Sequence, residues 1–141
     1  MNEDVVRSAG IPHKVIDAVA AEEERELQRR ERDYRDGRPP VAVEGRTVIL
    51  VDDGLATGSS MRVAVLALKR KRPAQIVVAV PVGAPATCAE FESEVDQAIC
   101  AITPEPFLSV GQWYEDFSQT SDEDVRDLLS RAASLPVPSA A

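Results

Sequence analysis

Asp52 and Asp53 are adjacent carboxylates, and the loop behind them, Gly54-Leu55-Ala56-Thr57-Gly58-Ser59-Ser60, carries two glycines and three hydroxyls. Ahead of the pair stand Val48-Ile49-Leu50-Val51, four apolar residues that read as a buried strand. From Met61 onward the chain reads as a helix. That order brings carboxylate acceptors and a crown of backbone N–H donors to one point, a helix N-terminus, where a phosphate is favoured. Gly54 and Gly58 permit backbone angles that a side chain would obstruct. Thr57, Ser59 and Ser60 add hydroxyl donors around what becomes a nest for an anion. A ligand with hydroxyls beside a phosphate suits both halves, and a sugar phosphate is such a ligand. Successive side chains of an extended strand point to opposite faces, so the two acids should not act alike. One faces the cleft, while the other orients it or reaches a second hydroxyl.

An ordinary capped turn also uses Asp, Gly, Ser and Thr. Two adjacent carboxylates repel each other, however, and add little to a cap that Thr57 could supply alone. The pattern therefore points to a ligand. A receiver domain also opens with a strand and an acidic pair, but there the pair stands near the N-terminus and a later strand ends in Asp. Here the pair follows 51 residues, and the next strands end at Val82 and Ile102 without one. A Walker B reading would need a Gly-x-x-x-x-Gly-Lys-Ser/Thr loop, which the sequence lacks.

The elements that must hold this site alternate. A strong helix former, dense in Ala, Glu, Arg and Leu, runs over 12–36, with apolar positions Val15, Ile16, Val19, Ala20 and Leu27 at helical spacing. Its charged half sets Glu26 against Arg30 at i,i+4, as on a solvated face. A short apolar piece covers 5–10, and His13 stands at the helix start, where a cap or surface role is simplest. Residues 41–43 read as a short strand, 46–51 as a strand, 61–71 as a helix and 75–82 as a buried strand. A helix over 85–95 and a strand over 98–102 follow. Strand, helix, strand, helix, strand is the pattern of a parallel sheet flanked by helices, so the fold class is α/β. Residues 107–120 read as loop and 121–133 as a helix capped by Ser121. The expected organisation is a single domain over 1–134 with a flexible tail over 135–141.

Bulk properties limit the partners. The chain has 141 residues and a net charge of −8, which argues against nucleic acid and anionic membrane surfaces. The basic run Lys69-Arg70-Lys71-Arg72 complements the C-terminal dipole of the helix it ends. Cys88 and Cys100 fall short of a disulfide framework and lack metal-ligand spacing. Cys100, in an apolar run, reads as a buried small residue. No apolar run reaches the ~20 residues of a membrane span, and the N-terminus lacks the pattern of a signal peptide. A cytoplasmic protein is expected.

The segment 48–60 resembles the ribose-phosphate fingerprint of the type I phosphoribosyltransferases: four apolar residues, two acids, then a Thr-Gly loop. The segments Pro81-Val82-Gly83 and Trp113-Tyr114-Glu115-Asp116-Phe117 resemble those of the bacterial phosphoribosyltransferase-like proteins. The resemblance implies a phosphoribosyltransferase-like parallel sheet and a glycosyltransferase activity in nucleotide metabolism. Phosphoribosyl pyrophosphate (PRPP) would donate its phosphoribosyl group with release of pyrophosphate. It implies that Asp52 and Asp53 hold the ribose hydroxyls, and that Gly54, Ala56, Thr57, Gly58, Ser59 and Ser60 surround the 5′-phosphate. Mg²⁺ is implied too, bound largely through diphosphate and ribose oxygens. Purine-type members carry Asp where this chain has Ala56, so the implied chemistry is not of that type. Only 47 residues precede Val48, with no glycine-rich pyrophosphate loop, so the sheet is expected to be N-terminally incomplete. Two alternatives stay open: a non-catalytic ribose-phosphate or nucleotide-binding module, and an inactive truncated member. In either, a homo-oligomer or a partner would cover an exposed sheet edge. Trp113, Tyr114 and Phe117 would pack beneath the last helix or wall a base, and Gly83 would admit substrate or turn the chain.

Overall fold

The computed structural model describes Val6 and residues 8–134. The expected tail over 135–141, and most of the apolar piece over 5–10, lie outside the described residues. The elements are α1 (His13–Arg35), β1 (Thr47–Val51), α2 (Ser59–Lys69), β2 (Gln75–Val82), α3 (Pro85–Glu94), β3 (Gln97–Ile102), a 3-10 turn (Gly111–Trp113) and α4 (Asp122–Ala133). They fall into two compact units: Val41–Gln119, and the described residues up to Pro40 together with those from Thr120 onward.

The first unit is built on a parallel sheet in the order β1-β2-β3. Parallel neighbours need crossovers, which α2 and α3 supply. Alternate residues of the central strand, Ile76, Val78, Val80 and Val82, are buried, and the core cluster adds Met61 and Val65 of α2 and Phe91 of α3. Burying such side chains stabilises by roughly 1.5–3 kcal/mol each. The register sets Val48 beside Ile76 and Leu50 beside Val78, so this face of β1 joins the same layer. The opposite face stays open, with Ile49 61% and Val51 74% exposed.

Residues 41–43 form no strand. β1 lies at the sheet edge among the described residues, Val41 is exposed, and the Val43 carbonyl is taken by the Arg46 N–H in a turn. Lys69 closes α2 but donates to the Glu94 carbonyl at 2.7 Å, so its charge sits at the C-terminal end of α3.

The cysteines correct the sequence expectation. Cys88 and Cys100 form a disulfide, with Cα atoms 6.4 Å apart. Register brings them together: Cys100 stands beside Val80, and α3 folds back from the turn after β2. Gly83 makes the room, because a Cβ there would collide with Cys88 Sγ and approach Cys100 Sγ to 3.2 Å.

The second unit pairs α1 with α4. Arg29 binds both oxygens of Glu26 at 2.8 Å, Asp33 at 2.7 Å and Asp122 at 2.8 Å, while the Tyr34 hydroxyl donates to Asp122 at 2.5 Å. The expected Glu26–Arg30 pair is present at 2.8 Å. Ser121 caps α4 as expected, in a reciprocal capping box with Asp124. No described helix is long and apolar enough to cross a membrane.

Candidate functional site

β1 ends at Val51 and delivers Asp52 and Asp53 into the loop. The two acids differ in their contacts. Asp52 folds back, its Oδ1 accepting from the Asp53 N–H at 3.0 Å, whereas Asp53 contributes its main-chain carbonyl to the Tyr114 hydroxyl at 2.6 Å. Both side chains stand exposed at the mouth.

Beyond the acids the chain is fastened to the sheet. Leu55 is 2% exposed and forms a parallel bridge with Gly83; its N–H donates to the Val82 carbonyl at 2.9 Å, and its carbonyl accepts from the Ala84 N–H at 2.8 Å. The small residues at 54 and 58 follow from contact. A Cβ on Gly54 would lie 2.7 Å from a Val110 methyl and 2.9 Å from the Val82 carbonyl oxygen. Gly58, with φ +69°, would set a Cβ 2.6 Å from the buried Phe91 ring. Left-handed geometry and close approach both select glycine there.

Gly58 is the N-cap of α2, no side chain caps it, and α2 has no acid in its first turn. The Thr57 hydroxyl pairs with the Ser59 hydroxyl at 3.1 Å and accepts from the Ser59 N–H at 3.5 Å, a long contact. The positive end of the helix dipole is thus left for a ligand. Around it lies a cleft of about 170 Å³, lined by Asp52, the run from Gly54 to Met61, and Val110. This one cleft gathers Asp52, Gly54, Ala56, Thr57, Gly58, Ser59 and Ser60, with Asp53 next in the chain. Oxygen acceptors at one end and N–H and O–H donors at the other suit a polyol bearing a phosphate.

Three contacts at the loop escape sequence reading. Thr87 of α3, 9% exposed, donates to the Ala56 carbonyl at 2.7 Å. Arg62 of α2 donates to the Thr57 carbonyl at 2.8 Å while pairing with Glu90 and Glu94 and stacking 5.0 Å above Phe91. Glu94, first, and Glu90 hold the Arg62 guanidinium in its charged form. Tyr114 is named by its motif, but its hydrogen bond to Asp53 is not. The Tyr114 and Phe117 rings pack 5.2 Å apart, and Phe117 lies over Gly111. No motif marks Thr87 or Arg62, because the Thr87 contact across 31 positions, and the Arg62 pairs across 28 and 32, depend on the tertiary fold.

Wider hollows of about 490 and 610 Å³ lie along α1. Their arginines include Arg35, paired with Glu31, and Arg38, which donates to main-chain carbonyls. Among the described residues, no group of three or more His, Cys, Asp or Glu could hold a metal ion.

Known proteins resemble this chain in sequence and fold. The family model for the phosphoribosyl transferase domain matches residues 1–106. Proteins from two strains of Mycobacterium tuberculosis, each provisionally named a phosphoribosyl transferase, are 39% identical over 132 residues. That match covers 94% of this chain and 30% of theirs, so the chain spans about a third of the length of these relatives. The crystal structure of TT1426 from Thermus thermophilus superposes with a TM-score of 0.73 at 36% identity, covering 84% of this chain and 57% of that one.

Proposed function

The chain belongs to the phosphoribosyl transferase domain family, and on that footing we propose that its loop from Asp52 to Ser60 holds the ribose 5-phosphate half of PRPP. In this reading Asp52 and Asp53 accept from the ribose hydroxyls. The backbone of Ala56, Thr57, Gly58, Ser59 and Ser60, with the hydroxyls of Thr57, Ser59 and Ser60, receives the 5′-phosphate. The observation that carries it is the acid-free first turn of α2, whose N-cap Gly58 has no side chain, opening onto a cleft whose other end holds a carboxylate pair.

The reaction proposed is phosphoribosyl transfer to an acceptor nucleophile. The bond from the anomeric carbon to diphosphate breaks, and the acceptor forms a bond to the same carbon and gives up a proton. The transition state is cationic at the ribose, so fixing the sugar at both ends sets that carbon against the acceptor, a positioning effect worth several kcal/mol. Asp52 and Asp53 also place negative charge near the developing cation. Both are hard oxygen donors of the type Mg²⁺ prefers, and Mg²⁺ would neutralise charge on the departing diphosphate. Ala56 supplies no acid or base, which turns the reading away from purine-type acceptors.

A second reading rests on the lining of the cleft, which among the described residues includes no lysine or arginine to grip a diphosphate. In it the chain binds ribose 5-phosphate or a nucleotide without catalysis. The open face of β1 with Ile49 and Val51, and its free edge, are where a second copy or a partner would then pack.

Titration calorimetry with PRPP, ribose 5-phosphate and pyrophosphate, with and without Mg²⁺, separates the readings. Transfer predicts Mg²⁺-dependent PRPP binding and pyrophosphate release with an acceptor. Binding of ribose 5-phosphate alone supports the non-catalytic module. A folded protein that binds none of the three overturns both.

A further inference from the structure

We infer that Thr87 and Arg62 are positioning residues that aim the phosphate-loop amides, so that the anion cradle is set before ligand arrives. The inference rests on the ribose 5-phosphate reading above and adds to it which residues outside the loop make that loop competent.

The argument follows from peptide geometry. In a planar trans peptide the carbonyl of one residue and the N–H of the next point in opposite directions. The peptides of the loop are all trans. The Leu55 carbonyl is held by the Ala84 N–H at 2.8 Å, which turns the Ala56 N–H the other way. The Ala56 carbonyl is held by Thr87 Oγ1 at 2.7 Å, which turns out the Thr57 N–H. The Thr57 carbonyl is held by Arg62 Nη1 at 2.8 Å, which turns out the Gly58 N–H. Three consecutive carbonyls are thus drawn toward the sheet and the helices, and three consecutive amides face away from those anchors. None of these amides donates to another described residue. Left to themselves, such peptides could flip and point a carbonyl dipole at the anion instead.

The anchors are themselves fixed. Thr87 is buried beneath the loop, and its methyl lies within 3.0 Å of where a Gly58 Cβ would stand. The Arg62 guanidinium is braced by Glu94 at 2.8 Å and by Glu90, and rests on the Phe91 ring. A preorganised cradle binds better because the ligand need not reorient the dipoles on arrival.

The test compares the native chain with Thr87→Val, which keeps the shape but loses the hydroxyl, and Thr87→Ser, which restores it. Ribose 5-phosphate affinity is read by calorimetry, the Thr57 amide by ¹H–¹⁵N NMR without ligand, and folding by melting temperature. Thr87→Val should weaken binding about tenfold, the scale of one lost hydrogen bond, and displace the Thr57 amide resonance, while Thr87→Ser recovers both. Arg62→Met should do the same to the Gly58 amide, and it carries the test if Thr87→Val does not fold. Native-like affinity and amide shifts in a folded Thr87→Val or Arg62→Met chain overturn the inference and leave the ribose 5-phosphate reading standing. Failure of the native chain to bind ribose 5-phosphate overturns that reading, and the inference with it.

Discussion

Gly58 joins local backbone geometry to ligand chemistry. Its left-handed φ costs an L-residue about 1–2 kcal/mol, and the space its Cβ would need is filled by Phe91, which has no exposed surface. Gly58→Ala is therefore expected to destabilise the chain by about 3 kcal/mol, adding overpacking to the backbone penalty. It should also abolish ribose 5-phosphate binding, as read by urea unfolding and calorimetry. A variant with native stability would contradict the contact. Asp52 and Asp53 have the opposite character, being exposed and outside the core. Changing both to Asn should abolish sugar-phosphate binding while leaving the melting temperature close to native. Survival of binding in that double variant would sink the proposed ribose contact. The acids, glycines and hydroxyls were legible because each is a type chosen for chemistry or backbone freedom. Thr87 was not, since a threonine inside a helix sequence carries no sign that its hydroxyl crosses to a loop carbonyl.

At the scale of elements, the α1–α4 pair is electrostatic. Arg29, then Arg30, holds Glu26 down at about 2, and the Tyr34 hydroxyl, then Arg29, lowers Asp122 below the ordinary carboxylate range. A carboxylate with a depressed folded value stabilises fully above its unfolded value, near 4, and loses that contribution as pH falls through the folded one. The α4 amides should therefore lose hydrogen-exchange protection as pH falls below about 4, the unfolded value, toward the lowered value of Asp122, and lose it earlier in high salt, because these groups are exposed and screened. Unchanged protection down to pH 2 would contradict the pairing. The helices and strands are largely readable, β2 to the residue, because helical spacing of apolar residues and unbroken apolar runs between turn residues mark what is buried. The stretch over 41–43 failed for a plain reason: strand composition makes no strand without a neighbour to pair with. The disulfide is not readable from spacing either, since only the β2–β3 register and the fold-back of α3 bring Cys100 to Cys88.

For the whole chain, the sheet and its disulfide set how firmly the site is held. The sulfurs lie under Gly83, whose bridge to Leu55 carries the sheet into the loop. A crosslink spanning 12 positions stabilises by about 3 kcal/mol through the unfolded state. Urea unfolding with dithiothreitol should show a loss of that order, and coincident midpoints with and without reductant would contradict it. A reducing compartment favours two thiols, so the reduced curve gives the stability relevant to the cytoplasmic location expected from the sequence. The face of β1 with Ile49 and Val51 is exposed, while the loop proposed to hold the phosphate is complete within this chain's own contacts. That completeness is tested most directly by titrating the ¹⁵N-labelled native chain with ribose 5-phosphate and following each backbone amide. The account predicts that the largest shifts fall on Ala56, Thr57, Gly58, Ser59 and Ser60. Shifts confined to α1 and α4, or no saturable shift in a folded chain, would contradict it.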